Sequence, residues 1–146
     1  MRYSLAAILM TLTLITGCSS SNSSQQTMTA MNIVHQADTS KVEHISIAEL
    51  NHSFLNKSGP TNHQGMVVEI SGTVSSFKMT DEQLYIVIIK ADDNQAICVF
   101  DSSIAGEIGQ GRKIEHGAAL TIQGQCFGSG LFSSTTFTLD GCRIIE

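Results

Sequence analysis

The chain of 146 residues has no tryptophan, one proline, two tyrosines and six phenylalanines. A surface that reads single strands by stacking bases on aromatic rings has little to draw on here. Basic residues are also scarce. Lys and Arg total 8 against 13 Asp and Glu, for a formal net charge of −5, and the densest basic run is the pair Arg112-Lys113. Binding a phosphate backbone calls for a basic stripe, and none is written in this sequence. No stretch approaches the ~20 apolar residues of a membrane-spanning helix. There is no Cys-x-x-Cys, no His-x-x-x-His, and no zinc-ligand spacing among His35, His44, His52, His63 and His116. A Gly-x-Ser-x-Gly elbow is missing, and "GEIGQGRK" lacks the Gly-Lys-Ser/Thr ending of a phosphate loop. These gaps argue against an enzyme and against any cofactor or metal.

What is present begins at the N-terminus. Arg2 gives a positive start, Leu5 to Ile15 is a short apolar run, and Thr16-Gly17 are small. That run is too short to span a bilayer and reads as a signal peptide. Ile15-Thr16-Gly17-Cys18 resembles the lipobox of bacterial lipoproteins. The resemblance implies cleavage before Cys18, a diacylglycerol on its thiol and an acyl chain on its amine. One acyl chain binds membranes marginally, at roughly 0.8 kcal/mol per buried methylene, whereas several anchor stably. Ser19, in place of an aspartate, resembles the pattern that sends lipoproteins of Gram-negative bacteria to the outer membrane. The expected location is therefore the cell outer membrane, lipid-anchored and facing the periplasm. An ordinary signal peptide with an incidental cysteine is the alternative.

Three segments follow: residues 1–17 as signal peptide, 18–44 as lipidated cysteine and tether, and 45–146 as one folded domain. Residues 19–40 are rich in Ser, Asn, Gln and Thr, with little to bury, and read as a flexible leash. About 22 such residues have a root-mean-square reach on the order of 25 Å.

The segment from Ser46 predicts a helix. Ser46 and Glu49 make a capping box, Ile47, Leu50, Phe54 and Leu55 share a face, and Gly59-Pro60 stop it. Beyond Gln64 the periodicity changes to two. "GMVVEISGTVSSF", "QLYIVIIK", "AICVF", "AALTIQGQCF" and "TTFTLDGCRIIE" predict five strands, with a bend or bulge at Gly72 and another at Asp140-Gly141. "MTDE" and "ADDNQ" read as turns, and a short helix is expected around Ser103 to Ile108. The fold class is all-β with minor helices: a five-stranded OB-fold barrel preceded by one N-terminal helix.

The succession "VEISGTV", "YIVII", "AICVF", "LTIQGQCFG" and "TLDGCRII" resembles the tRNA_anti-like OB-fold family, many of whose members are small bacterial lipoproteins. The resemblance runs from about Ile47 to Glu146. It implies the barrel and a kinship with anticodon-binding domains. A periplasmic location would put tRNA itself in the wrong compartment.

With Cys18 lipidated, Cys98, Cys126 and Cys142 remain. Cys126 and Cys142 stand symmetrically about the last predicted hairpin and are the favoured disulfide, which would stabilise by roughly 3 kcal/mol. Cys98–Cys142 is the second choice of pairing, and three buried thiols acting as small hydrophobes are the alternative to any disulfide. On the second and third strands, Tyr85, Val87, Ile89, Ala96, Cys98 and Phe100 are expected to point inward. Leu84, Ile86, Ile88, Ile97 and Val99 would then make an outer apolar face, with Phe77, Lys78 and Lys90 nearby and Phe127 and Phe132 as further aromatics. Either the helix lays Ile47, Leu50 and Phe54 on this face, or it is a protein-binding or dimer surface. The expected function is a non-catalytic binding module, held to the bilayer by acylated Cys18 and directed at an envelope protein. An oligosaccharide- or single-stranded nucleic-acid-binding module is the alternative.

Overall fold

The computed structural model describes residues 23–55, 63–109, 114–129 and 136–145. The expected signal peptide, Cys18, the expected helix stop at Gly59-Pro60, Arg112-Lys113 and Phe132 lie outside them. The elements are helix α1 (Ser23–Gln36), strand β1 (Glu43–His44), helix α2 (Ile47–Leu55), strands β2 (Val67–Met79), β3 (Tyr85–Ala91) and β4 (Asn94–Phe100), helix α3 (Ile104–Gly109), and strands β5 (Ala119–Ser129) and β6 (Phe137–Ile144).

Strands β2 to β6 close into a barrel in the order β2-β3-β4-β6-β5, with β5 returning to β2. All seams are antiparallel except β4–β6, which is parallel and registers only Ile97 with Thr138 and Cys98 with Leu139. This is the five-stranded OB barrel that the sequence predicts. The first long strand serves both sides of the ring. Residues 67–73 of β2 pair with β5, and residues 73–79 pair with β3. Gly72 sits at the handover, where a Cβ would come within 2.7 Å of the Lys90 carbonyl oxygen. Its role is close approach; the bulge itself falls between Val74 and Ser76. The short β1 pairs parallel to β2, at Glu43–Val68 and His44–Glu69.

Helix α2 begins as its capping box dictates, with Glu49 N donating to Ser46 Oγ at 3.1 Å. Its Ile47, Leu50 and Phe54 join Val68, Ile70, Val74, Ile122 and Leu139 in the barrel core, and Phe54 stacks on Phe137. Burying side chains of this size contributes roughly 1.5–3 kcal/mol each. The turns form where expected. Gln83 and Asp92 take positive φ (61° and 52°) in the β2–β3 and β3–β4 connections.

Residues 23–36 depart from the sequence reading. In place of a leash they form α1, which packs against β6, β5 and β4. Among its described side chains Thr27, Ala30 and Val34 are the buried ones, a stripe of small side chains at helical spacing. That stripe suffices because Gly141, at φ 61°, lets the helix backbone approach. A Cβ there would collide with Met31 N and Ala30 C. Composition alone conceals such a helix, since its stability comes from docking and not from a wide apolar face.

Candidate functional site

The alternation read from β3 and β4 holds. Val87, Ile89, Ala96, Cys98 and Phe100 belong to the barrel core, with Tyr85 packed against it. Leu84, Ile86, Ile97 and Val99 form a separate cluster outside the wall, with Ile88 beside them. Register places Lys78 with Ile86 and Val99 in one row, and Ser76 with Ile88 and Ile97 in the next. Exposed Lys90 pairs with Gln95 at the far end of the same face.

Two features of this face differ from expectation. The four clustered side chains are 0–7% exposed, so they offer no open apolar surface. Helix α2 does not lay Ile47, Leu50 and Phe54 on them, because those three side chains join the barrel core. The helix bordering them is α1, whose Ser24 and Met28 line a recess with Leu84, Gln83 and Asp101. The second difference is Phe77. The bulge between Val74 and Ser76 inserts one residue and reverses the alternation beyond it. Phe77 therefore pairs with inward Val87 and stacks on Tyr85, with ring centroids 5.6 Å apart. It remains 39% exposed at the barrel mouth, and neighbouring Met79 is 60% exposed.

Among the described residues, Cys98, Cys126 and Cys142 are buried free thiols. Cys126 does not face Cys142. Two register shifts in the β5–β6 ladder set Cys126 opposite Leu139, three residues from the symmetric pairing. The Cys142 Sγ–H instead donates to Leu139 O at 3.4 Å. Burial, with Cys98 nearby, pushes the Cys126 thiol up to about 12. Burial and then Cys98 likewise raise Cys142 well above the usual thiol value. Both are protonated at neutral pH and so are poor nucleophiles and poor metal ligands.

Two polar arrangements escape sequence reasoning. Along the outside of β1, β2, β5 and β6 runs a chain of partners. Arg143 Nε and Nη2 donate to Gln123 Oε1 at 3.0 and 2.7 Å, and Gln123 Nε2 donates to Glu69 Oε2 at 2.7 Å. Glu69 Oε1 lies 3.2 Å from His44 Nδ1. The signal was present as the polar positions of three period-two strands, but register alone aligns them. The second arrangement is a concavity of about 480 Å³ at the β3–β4 turn, lined by Asn51, Lys90, Asp92, Asp93, Asn94, Gln95 and Thr136. Asn51 Nδ2 donates to Asn94 Oδ1 at 3.3 Å and to Gln95 O at 3.2 Å, tying α2 to the hairpin. Its own Oδ1 is buried without a partner. Asp92-Asp93-Asn94 is thus both a turn and the rim of a polar recess. Its amides and carboxylates suit a ligand that donates hydrogen bonds.

Among the described residues no group of three or more His, Cys, Asp or Glu could hold a metal ion. No described helix is long and apolar enough to cross a membrane.

Known structures share the architecture. One from Klebsiella pneumoniae subsp. pneumoniae MGH 78578, a "putative nucleic acid-binding lipoprotein", is 17% identical and superposes with a TM-score of 0.58, covering 73% of this chain and 94% of its own. Asparaginyl-tRNA synthetase from Pyrococcus horikoshii is 10% identical with a TM-score of 0.50, covering 72% of this chain but 23% of the synthetase. Likeness at these identities is likeness of fold. No curated protein matches the chain. The family model named tRNA_anti-like matches residues 1–136. Barrel order, bulged first strand and family match agree: the chain belongs to the tRNA_anti-like family of OB-fold domains.

Proposed function

We propose that this protein is a non-catalytic binding module of the cell envelope, fastened through an acylated Cys18 and directed at a protein partner. The observation that carries the reading is the polar recess at the β3–β4 turn. It is open, it is braced by the Asn51 contacts, and it belongs to a barrel whose outer apolar face is already buried. Asp92 and Asp93 outnumber Lys90 there, which favours lysine, arginine or amide donors on the partner and repels phosphate. The lipobox resemblance supports the anchor, and the name of the Klebsiella neighbour is consistent with a lipoprotein.

A second reading, an oligosaccharide ligand, is favoured by the amides of Asn51, Asn94 and Gln95 beside the Thr136 hydroxyl. The test is a photo-crosslinking residue at Gln95 in the full-length protein in its own envelope. A discrete protein adduct, lost on Asp92→Lys with Asp93→Lys, is the expected result. Adducts to glycan alone would replace the first reading with the second. Salt-dependent oligonucleotide binding that survives the two lysine substitutions would overturn both.

A further inference from the structure

The lipid anchor and the first docked residue are close in sequence. Cys18 precedes Ser23, where α1 begins, by five residues. An extended chain spans at most about 3.3–3.6 Å per residue, so this link reaches no more than about 18 Å. The start of α1 is also fixed in place. Thr27, Ala30 and Val34 are buried, and the helix backbone rests on Gly141. Ser24 and Met28 line the recess formed with Glu82, Gln83, Leu84, Asp101 and Ser102. The helix therefore starts at the β2–β3 turn, at the opposite end of β3 from the polar recess.

That end carries three exposed large apolar side chains: Met28 at 56%, Phe77 at 39% and Met79 at 60%. The charges around them are Lys78 on β2 and Asp81, Glu82 and Asp101 at the turn and beyond β4. Three carboxylates against one ammonium rule out deep burial and attraction to anionic lipid. They are compatible with shallow contact at a zwitterionic interface, where methionine and phenylalanine enter and the carboxylates stay in water.

We infer that the domain is held flush against the bilayer, with the β2–β3 turn and the first turns of α1 facing the lipid and the polar recess facing away. This rests on the anchoring at Cys18 proposed above. The partner of the apolar end is thus a lipid surface, and the leash of residues 19–40 shrinks to a short link.

The protein lacks tryptophan, so single reporters can be placed in the full-length acylated chain. Met79→Trp and Asp93→Trp proteins are reconstituted into phosphatidylcholine vesicles carrying lipids brominated near the headgroup. Quenching several-fold stronger for Met79→Trp than for Asp93→Trp is expected. Equal quenching, or stronger quenching at position 93, overturns the orientation while leaving the anchor intact. A protein that carries no acyl mass and fails to float with vesicles overturns the anchoring reading, and the orientation with it. Inserting a flexible Gly/Ser segment between Asn22 and Ser23 should bring the two reporters together. A contrast that survives the insertion shows that the short link does not set the orientation.

Discussion

Gly141 answers two demands at one position. Its φ of 61° disfavours any side chain, and the space where a Cβ would stand is filled by the α1 backbone. A left-handed conformation costs a non-glycine residue roughly 1–2 kcal/mol, and overpacking adds about 1–3. Gly141→Ala should lower the urea midpoint well below that of Gly65→Ala. Gly65 has a φ of 80° but nothing within 4 Å of the position a methyl would take, so only the backbone cost applies. The neighbouring Asp140 is fully buried. Burial raises its carboxyl above the ordinary range, against hydrogen bonds from Gly141 N at 2.8 Å and Gln26 Nε2 at 3.4 Å. The folded chain then holds a proton that the unfolded chain has released. Stability is fully present below the unfolded carboxyl's value and is lost as pH rises through the folded one. Asp140→Asn removes this loss. Its unfolding free energy, measured across pH, should gain on the parent as pH rises through that window and run parallel above it.

Among the elements, α1 takes its stability from the strands it packs on. Its described buried side chains are small, and its backbone comes close to β6 at Gly141. Ala30→Glu places a charge in that seam. Amide protection in residues 23–36 should collapse, while protection in β2–β5 persists; equal loss throughout would show that helix and barrel unfold as one unit. The same element marks the limit of what the sequence disclosed. Val87, Ile89, Ala96, Cys98 and Phe100 were legible as core because alternation is a local property. The cap at Ser46 was legible for the same reason. Phe77 was not, because one inserted residue near position 75 reverses a strand's faces and leaves no compositional mark. Helix α1 was not, because Thr, Ala and Val spaced along a polar segment become a packing face only when a distant glycine lies beneath them. The recess at Asn51 joins a helix to a hairpin 43 residues away, which no local pattern encodes.

Across the molecule, the thiols give the simplest count. In the folded protein the three described thiols are buried, so with Cys18 acylated as proposed above a thiol reagent at neutral pH should find almost none. In denaturant without reductant, three should react if Cys18 carries the proposed lipid. A count of one would mean that a pair had oxidised, as the sequence allowed for Cys126 and Cys142. A count of four would leave Cys18 without its lipid.

The docking of α1 on β6 also dictates an order of events. The helix is near the start of the chain, and the strand it rests on ends at Ile144. During synthesis the helix is made first, but its seat is made last. Residues 23–36 have no seat until β6 has been made. The step that completes β6 is therefore also the step that seats α1 on the barrel.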